Sequence, residues 1–448
     1  MRQPNVIFVF ADQWRAQAVG YAGDPNVLTP HLNALAAESI NFTSAISGCP
    51  VCSPWRASFL SGQYPLTHGV FMNDVFFQPQ GPTIAEAYAA SGYETAYVGK
   101  WHLDGHGRSA FIPRERRRGF SYWKVLECTH DYHHSAYYED DCEVKKYWNG
   151  YDAIAQTRDV QEYIRARSRT GSPFFLVLSW GPPHDPYHTA PKECNAKYEP
   201  SRIVLRPNVP EDVAQTSREH LAGYYAHCAA LDSCVGDLLR TIRECGIEDN
   251  TLFVFTSDHG DMLGSHGEEK KQRPWEESIR VPFLLRWPGM PGWRPRAVDA
   301  LIDTPDIMPT LLGLCGIPVP AAVEGHDLSG HIRGGPDPTD GAVLLICVQP
   351  FGEWSRQCGG REYRGVRTKR YTYVRDRCGP WLCYDNLSDP WQMRNCVDDP
   401  SLRDTVRRLD RLLEKKLAQR KDDFLDGMEY VRRFGYTVDG TGTVPYTP

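Results

Sequence analysis

At 448 residues, 41% hydrophobic and 24% charged, the chain is long enough for one large or two moderate domains with a substantial core. Its formal net charge of −6 argues against a nucleic-acid partner. No apolar run approaches the roughly 20 residues that a membrane-spanning helix needs.

Val6-Ile7-Phe8-Val9-Phe10 is a continuous apolar run, as expected of a parallel strand covered on both faces. No signal-peptide pattern precedes it, which predicts a cytoplasmic protein, or an exported one given without its signal. The run ends in Ala11-Asp12-Gln13-Trp14. Open α/β sheets bind ligands at such strand ends. Asp12 offers carboxylate oxygens to a metal and Gln13 an amide oxygen. Taken alone, Asp12 reads better as a helix N-cap. Thr29 is the expected N-cap of a helix with Pro30 in its first position. Ile40 to Ala45 reads as a strand leading into Cys49–Pro65.

That stretch begins as a loop and continues as a short helix, with Pro54 suited to its first position and Gly62 and Pro65 stopping it. Cys52, just ahead of the helix, sits where backbone N–H groups favour negative charge. Arg56, one turn on, adds a fixed positive fork. The place is prepared for an anion, and it is also one that activates a thiol.

A helix is expected over Thr83–Gly92, then a strand, Thr95–Val98, that delivers Gly99-Lys100-Trp101-His102. Residues 105–141 show no clear periodicity and are rich in Arg, His, Tyr and Asp, including Arg114, Arg116, His130 and His133. They read as substrate-selecting loops or as a solvated surface. Tyr151–Arg167 has helical spacing, and the strand Phe174–Trp180 ends in a proline-rich turn holding His184. Tyr224–Cys245 is a long amphipathic helix. The strand Thr251–Ser257 ends in Asp258-His259, which can complete a metal site begun by Asp12 and Gln13.

Gly330–Gly341 is the best linker candidate. Beyond it, 364–368 and 369–374 read as antiparallel strands and Leu402–Leu417 as a helix. The 14 cysteines hold one C-x-x-C pair, Cys49 and Cys52, with no second pair at zinc-site spacing, so most are expected reduced and buried. The alternation of strands and helices predicts an α/β fold with a large, mostly parallel sheet flanked by helices on both faces. The expected division is a catalytic domain over 1–335 and a smaller antiparallel sheet plus helix over 336–448.

Cys52-Ser53-Pro54-Trp55-Arg56, continued by Ala57-Ser58-Phe59-Leu60-Ser61-Gly62, resembles the C-x-P-x-R signature of the type I, formylglycine-dependent sulfatases of the alkaline phosphatase superfamily. Gly99-Lys100-Trp101-His102 is similar to that family's G-K-W-H segment. Lys271, followed by Trp275-Glu276, is similar to its later K-x-x-x-[YW]-E, which selects Lys271 over Lys270. The resemblance covers nearly the whole chain, with segments in the family's order.

It implies that Cys52 is oxidised after translation by a formylglycine-generating enzyme, and that the hydrated aldehyde is the nucleophile. It implies a divalent cation held by Asp12, Gln13, Asp258, His259 and the modified Cys52. Arg56 is then expected to stabilise the hydrate, Lys100 and Lys271 to clamp the sulfuryl oxygens, and His184 with Lys271 to protonate the departing alcohol. His102 is expected to help deprotonate the hydrate. Two residues depart from the commoner family pattern: Gln13 where many members have Asp, and His259 where they have Asn. Calcium remains the family's expected ion, but an imidazole ligand makes manganese or zinc an alternative. The same departures resemble phosphonate monoester hydrolases and phosphodiesterases of the superfamily, which typically lack the G-K-W-H pair. A non-catalytic binding protein on the same fold is the third reading. A sulfated small molecule or saccharide is the implied substrate. Sugar, sulfate position and oligomeric state are not legible.

Overall fold

The computed structural model describes residues 3–446. Strand Asn5–Asp12 is buried along its whole length, as its unbroken apolar run predicts. It lies in a ten-stranded mixed sheet, between Phe174–Pro183 and Thr251–Ser257, with Glu94–Lys100 and then Tyr122–Leu126 beyond Phe174–Pro183. These five strands are parallel. Antiparallel pairings flank them, made by Phe283–Arg286 on one side and by Ala136–Glu139 and Cys142–Tyr147 on the other.

Period-2 alternation sends successive residues of the first strand to opposite faces. Val6, Phe8 and Phe10 enter one core with helices Cys52–Ser61, Ile84–Ala90 and Ile307–Cys315. Ile7, Val9 and Ala11 enter the other with helices Pro30–Ala37, Asp152–Ser168 and Ala214–Glu244. The expected α/β sandwich is therefore present, with helices on both faces. A four-stranded antiparallel sheet follows, built from Ala342–Cys347, Tyr363–Thr368, Tyr371–Asp376 and Gly379–Asp385. Helix Arg403–Gln419 packs Leu409, Leu413 and Leu417 against it. No helix among the described residues is long and apolar enough to cross a membrane.

Several local expectations shift. Ile40–Ala45 is not one strand: Ile40–Phe42 joins the large sheet, while Ala45–Ile46 joins a separate three-stranded one. Thr29 holds the expected N-cap position, but its side chain makes no capping bond; the Asp232 carboxylate instead accepts from His31 N and Leu32 N at 3.1 and 2.7 Å. The long helix starts at Ala214, well ahead of Tyr224. The aperiodic 105–141 region contains two of the strands, because their half-buried positions are filled by amphipathic residues such as Tyr122 and Lys124 that disguise the alternation. The expected linker, Gly330–Gly341, begins inside the helical turn Ser329–Ile332.

Gly99 is required where it stands. Its φ is +106°, and a Cβ there would lie 2.0 Å from the Ser179 carbonyl oxygen of the neighbouring strand. Gly99→Ala is expected to cost about 3 kcal/mol or more, since backbone on backbone cannot give way. A thermal unfolding midpoint close to that of the unsubstituted protein would show the strand pair to be looser than this.

Candidate active site

Because the central strands are parallel, their C-terminal ends emerge at one edge of the sheet. Asp12, Lys100, His184 and Asp258 are thereby brought together from positions distant in sequence. Cys52 is the first residue of its helix, with Val51 as N-cap, so Pro54 stands inside the first turn rather than at its start. The ring costs nothing there, because the first-turn N–H groups have no intrahelical acceptor. Gly62 ends the helix at φ 66°.

Arg56 ties the strand ends together. Its Nη1 donates to Lys100 O at 2.8 Å and Ser179 Oγ at 2.7 Å. Its Nη2 donates to Asp12 Oδ2 at 3.2 Å and Asp258 Oδ2 at 3.3 Å. Lys100 Nζ reaches the same Asp12 oxygen at 2.7 Å. Burial opposes ionisation of Asp12, but the charges of Lys100, Lys271 and Arg56 hold its carboxyl well below the usual range.

Cys52 Sγ lies 3.2 Å from His259 Nε2, 3.3 Å from Lys271 Nζ and 3.6 Å from Asp12 Oδ1. It is only 1% exposed. Burial, with Asp12 beside it, pushes the thiol up to about 12. The activated thiol that a helix start and an arginine suggested is thus not what the fold makes: desolvation outweighs the dipole, and the thiol stays protonated at neutral pH.

Asp12, Cys52, Asp258 and His259 each offer one donor atom, all within 4.8 Å of one another. That spacing suits a divalent ion with donors at about 2.0–2.5 Å. His259 Nδ1 faces Gly260 O at 2.9 Å, which places the proton on Nδ1 and leaves the Nε2 lone pair toward the cluster. Gln13 Nε2 donates to Asp261 Oδ2 at 2.6 Å, which turns Oε1 inward, 3.2 Å from Lys271 Nζ. As it stands the set is two carboxylates, the Gln13 amide oxygen, one imidazole nitrogen and the Cys52 sulfur, which fits a borderline cation; an oxygen in place of that sulfur would make it harder.

His184 Nε2 accepts from Lys271 Nζ at 2.8 Å, and its Nδ1 faces Asp185 O at 2.9 Å. Burial, then Lys271 and His130, hold the imidazole well below its ordinary value, so the pair carries its positive charge on lysine. Lys270 points elsewhere, toward Asp185 Oδ2 at 3.5 Å. His102 has φ +60°, and its Nε2 approaches Asp74 Oδ1 at 3.4 Å without hydrogen-bond geometry. A cavity of about 280 Å3 opens over Cys52, Lys100, His102, His184 and Lys271.

Several neighbours stand in no motif. Asp74 pairs with Arg108 through two bonds, at 3.0 and 2.9 Å. Ser179 and Asp261 hold Arg56 and Gln13. Phe351, Gly352, Glu353, Thr443 and Tyr446 wall the cavity from the C-terminal part of the chain. His130, from the aperiodic region, stacks on His184 with ring centroids 4.3 Å apart. Glu127 carries no motif, yet its carboxylate accepts from Leu103 N at 3.2 Å, Asp104 N at 2.8 Å and Gly105 N at 3.1 Å. Its own carbonyl accepts from His102 N at 2.8 Å.

A conserved-family model described as Sulfatase matches residues 4–317, and one described as N-sulphoglucosamine sulphohydrolase, C-terminal, matches 264–420. The chain is 46% identical to an ulvan-active sulfatase of Formosa agariphila, over 99% of this chain and 87% of that protein. It is 30% identical to an endo-4-O-sulfatase of Bacteroides thetaiotaomicron, over 94% of this chain and 92% of that one. Among solved structures, yidJ from Bacteroides fragilis superposes with a TM-score of 0.86 at 30% identity, covering 96% of this chain and 98% of that one. The fold and site define an alkaline-phosphatase-like hydrolase for sulfuric esters. The chain belongs to the sulfatase family.

Glu127→Ala would leave three N–H groups of the 103–105 turn without their acceptor. A loss of about 2–4 kcal/mol in unfolding free energy is expected, with Glu127→Gln losing less because one oxygen remains. Equal stability of all three proteins in denaturant titrations would remove Glu127 from the support of that turn.

Proposed function

We propose that the enzyme releases sulfate from a sulfated saccharide, using a formylglycine made from Cys52 and a divalent cation at the strand-end cluster. The observation that carries the reading is the convergence, on one buried thiol, of Asp12, His259 and Lys271 at hydrogen-bond distances. The saccharide rests on the relatives whose names specify one, together with the polar cavity walled by two regions of the chain.

Asp12, Gln13, Asp258, His259 and the modified Cys52 would hold the cation. It would supply Lewis acidity, drawing charge from sulfuryl oxygens and lowering the pKa of a bound hydroxyl. Calcium is the family's expectation, and His259 keeps manganese and zinc open. The hydrated aldehyde would supply a nucleophile with a second hydroxyl. Its partners here are already polar and buried: the Lys271 ammonium donates to an oxygen in place of sulfur, and the Asp12 carboxylate and the His259 Nε2 lone pair accept from its hydroxyls.

The chain's own residues do the rest. Arg56 fixes both metal-site carboxylates and is itself held by Ser179 and the Lys100 carbonyl. Lys100 and Lys271 present ammonium groups to the cavity, where charge on sulfuryl oxygens develops. Lys271 donates into His184, so the proton that reaches the leaving oxygen is drawn from this pair. His102 lines the cavity with Nε2 3.4 Å from Asp74 Oδ1, and burial holds its imidazole below the ordinary value, so it stands in the neutral form that a base needs. Cys52 is buried at 1% exposure, which favours action of a formylglycine-generating enzyme on the chain before it folds. The division into 1–335 and 336–448 is supported by the separate antiparallel sheet, although residues from both parts line the cavity.

Peptide mass spectrometry of aerobically expressed protein should find the thiol of Cys52 replaced by an aldehyde, and Cys52→Ala should release no sulfate. An unmodified Cys52 in every active preparation would sink the nucleophile assignment. His184→Ala should lower kcat by roughly 10²–10⁴ on substrates with poor leaving groups and less on aryl sulfates. Equal losses on both would remove it from leaving-group protonation. Removing the cation with a chelator should abolish turnover and lower the unfolding midpoint, with readdition restoring both; a site filled at a hundred times Kd adds about 2.7 kcal/mol. Parallel assays on an aryl phosphodiester and a phenylphosphonate ester guard the assignment: turnover of those alone would reverse it.

A further inference from the structure

The catalytic cavity is not isolated. A second cavity, of about 750 Å3, shares Asp74 with it. The C-terminal segment runs between the two: Thr443 and Tyr446 face the catalytic cavity, while Val444 and Pro445 face its neighbour. Two kinds of side chain in the lining of this neighbouring cleft suit a sugar. Phe76, Phe434 and Tyr436 present partly exposed rings, with Phe434 37% exposed. Gln78 and Gln80 present exposed amides. The ring platform is braced from below, since Phe71 meets Phe434 edge-on with centroids 5.4 Å apart and Tyr436 OH donates to Gly69 O at 2.9 Å.

Charge separates this cleft from the one on the other flank. Apart from Asp74, which Arg108 grips through two bonds, no Asp, Glu, Lys or Arg lines it. The opposite cavity, of about 570 Å3, adjoins the catalytic one at Asp185 and Lys270 and carries Glu219 and Glu269 as well. Ring faces beside neutral amides match the two surfaces of a pyranose, whose C–H face packs on an aromatic ring and whose hydroxyls both donate and accept. The same lining has no cation to compensate a second sulfate or a carboxylate, so a charged unit would be desolvated there without a partner.

We propose that the cleft beside Asp74 is a subsite for an uncharged sugar unit, joined in the same saccharide to the unit that carries the scissile sulfate. The proposal rests on the saccharide reading above and adds to it that recognition reaches past the sulfated unit, in a stated direction and with a stated charge preference.

The test compares three substrates: a monosaccharide sulfate, an oligosaccharide with an uncharged neighbour to the sulfated unit, and its counterpart with a carboxylated or sulfated neighbour. Sulfate release from the unsubstituted enzyme should give a kcat/KM for the uncharged oligosaccharide about tenfold above the monosaccharide and above the charged counterpart. Phe434→Ala should reduce that length preference about five- to tenfold, mainly through KM, whereas Phe434→Trp, which keeps a ring face, should retain it. Unfolding midpoints of both variants show whether the ring acts through the fold. Equal kcat/KM on all three substrates, a preference for the charged neighbour, or a loss in Phe434→Ala that is the same for monosaccharide and oligosaccharide would each overturn the subsite. Release from an aryl sulfate but from no saccharide would instead overturn the saccharide reading on which it stands.

Discussion

Everything at this site depends on how one buried guanidinium is satisfied. Arg56 bridges two carboxylates, a serine hydroxyl and a backbone carbonyl that come from four different strand ends or their flanks. A buried positive charge of this kind is tolerable only when paired, as both Nη groups are here while Nε finds no partner, and removing one carboxylate strands the charge. The arrangement therefore fixes the spacing of Asp12 and Asp258, and through them the donor cluster at Cys52. Its cation–π contact with Phe10, 4.8 Å to the ring, ties the same side chain to the core of the sheet.

The balance of charge around the thiol follows from that frame. Next to the thiol, Arg56, Lys100 and Lys271 stand against Asp12 and Asp258; over the wider cavity Arg108 and Lys270 meet Asp74, Asp185 and Glu353, so the chain's own groups come close to balance. A cation at the carboxylates would tip that balance toward an anionic ester. The neutral His184 beside a charged Lys271 is a consequence of packing two bases into one dry space, where one of them must give up its proton.

The outer wall has a different origin. Asp12, Lys100, His184 and Asp258 come from strand ends of the large sheet and Cys52 from the helix packed on it, whereas the segment near Phe351 and the C-terminal tail close the cavity above them. On the function proposed above, reaction chemistry would rest on the first group, held by the sheet, and substrate choice on the loops and tail, which can vary around it.

Much of this was legible without coordinates. The buried strands at 5–10, 174–180 and 251–257, the motif at Cys52, and the residues Asp12, Lys100, His102, His184 and Asp258 at strand ends all follow from local sequence, because hydrophobic periodicity and turn residues act within a few positions. Their meeting at one edge follows once the strands are taken as parallel. What the tertiary structure alone decided was longer in range. It set Lys271 against Cys52 and His184 and left Lys270 at the edge of the same cavity beside Asp185. It recruited Asp232, Glu127, Asp74 and Tyr446, none of which stands in a readable pattern. It also kept the Cys52 thiol protonated, since the cost of charge in a dry interior depends on what surrounds the group in space and not on its neighbours along the chain.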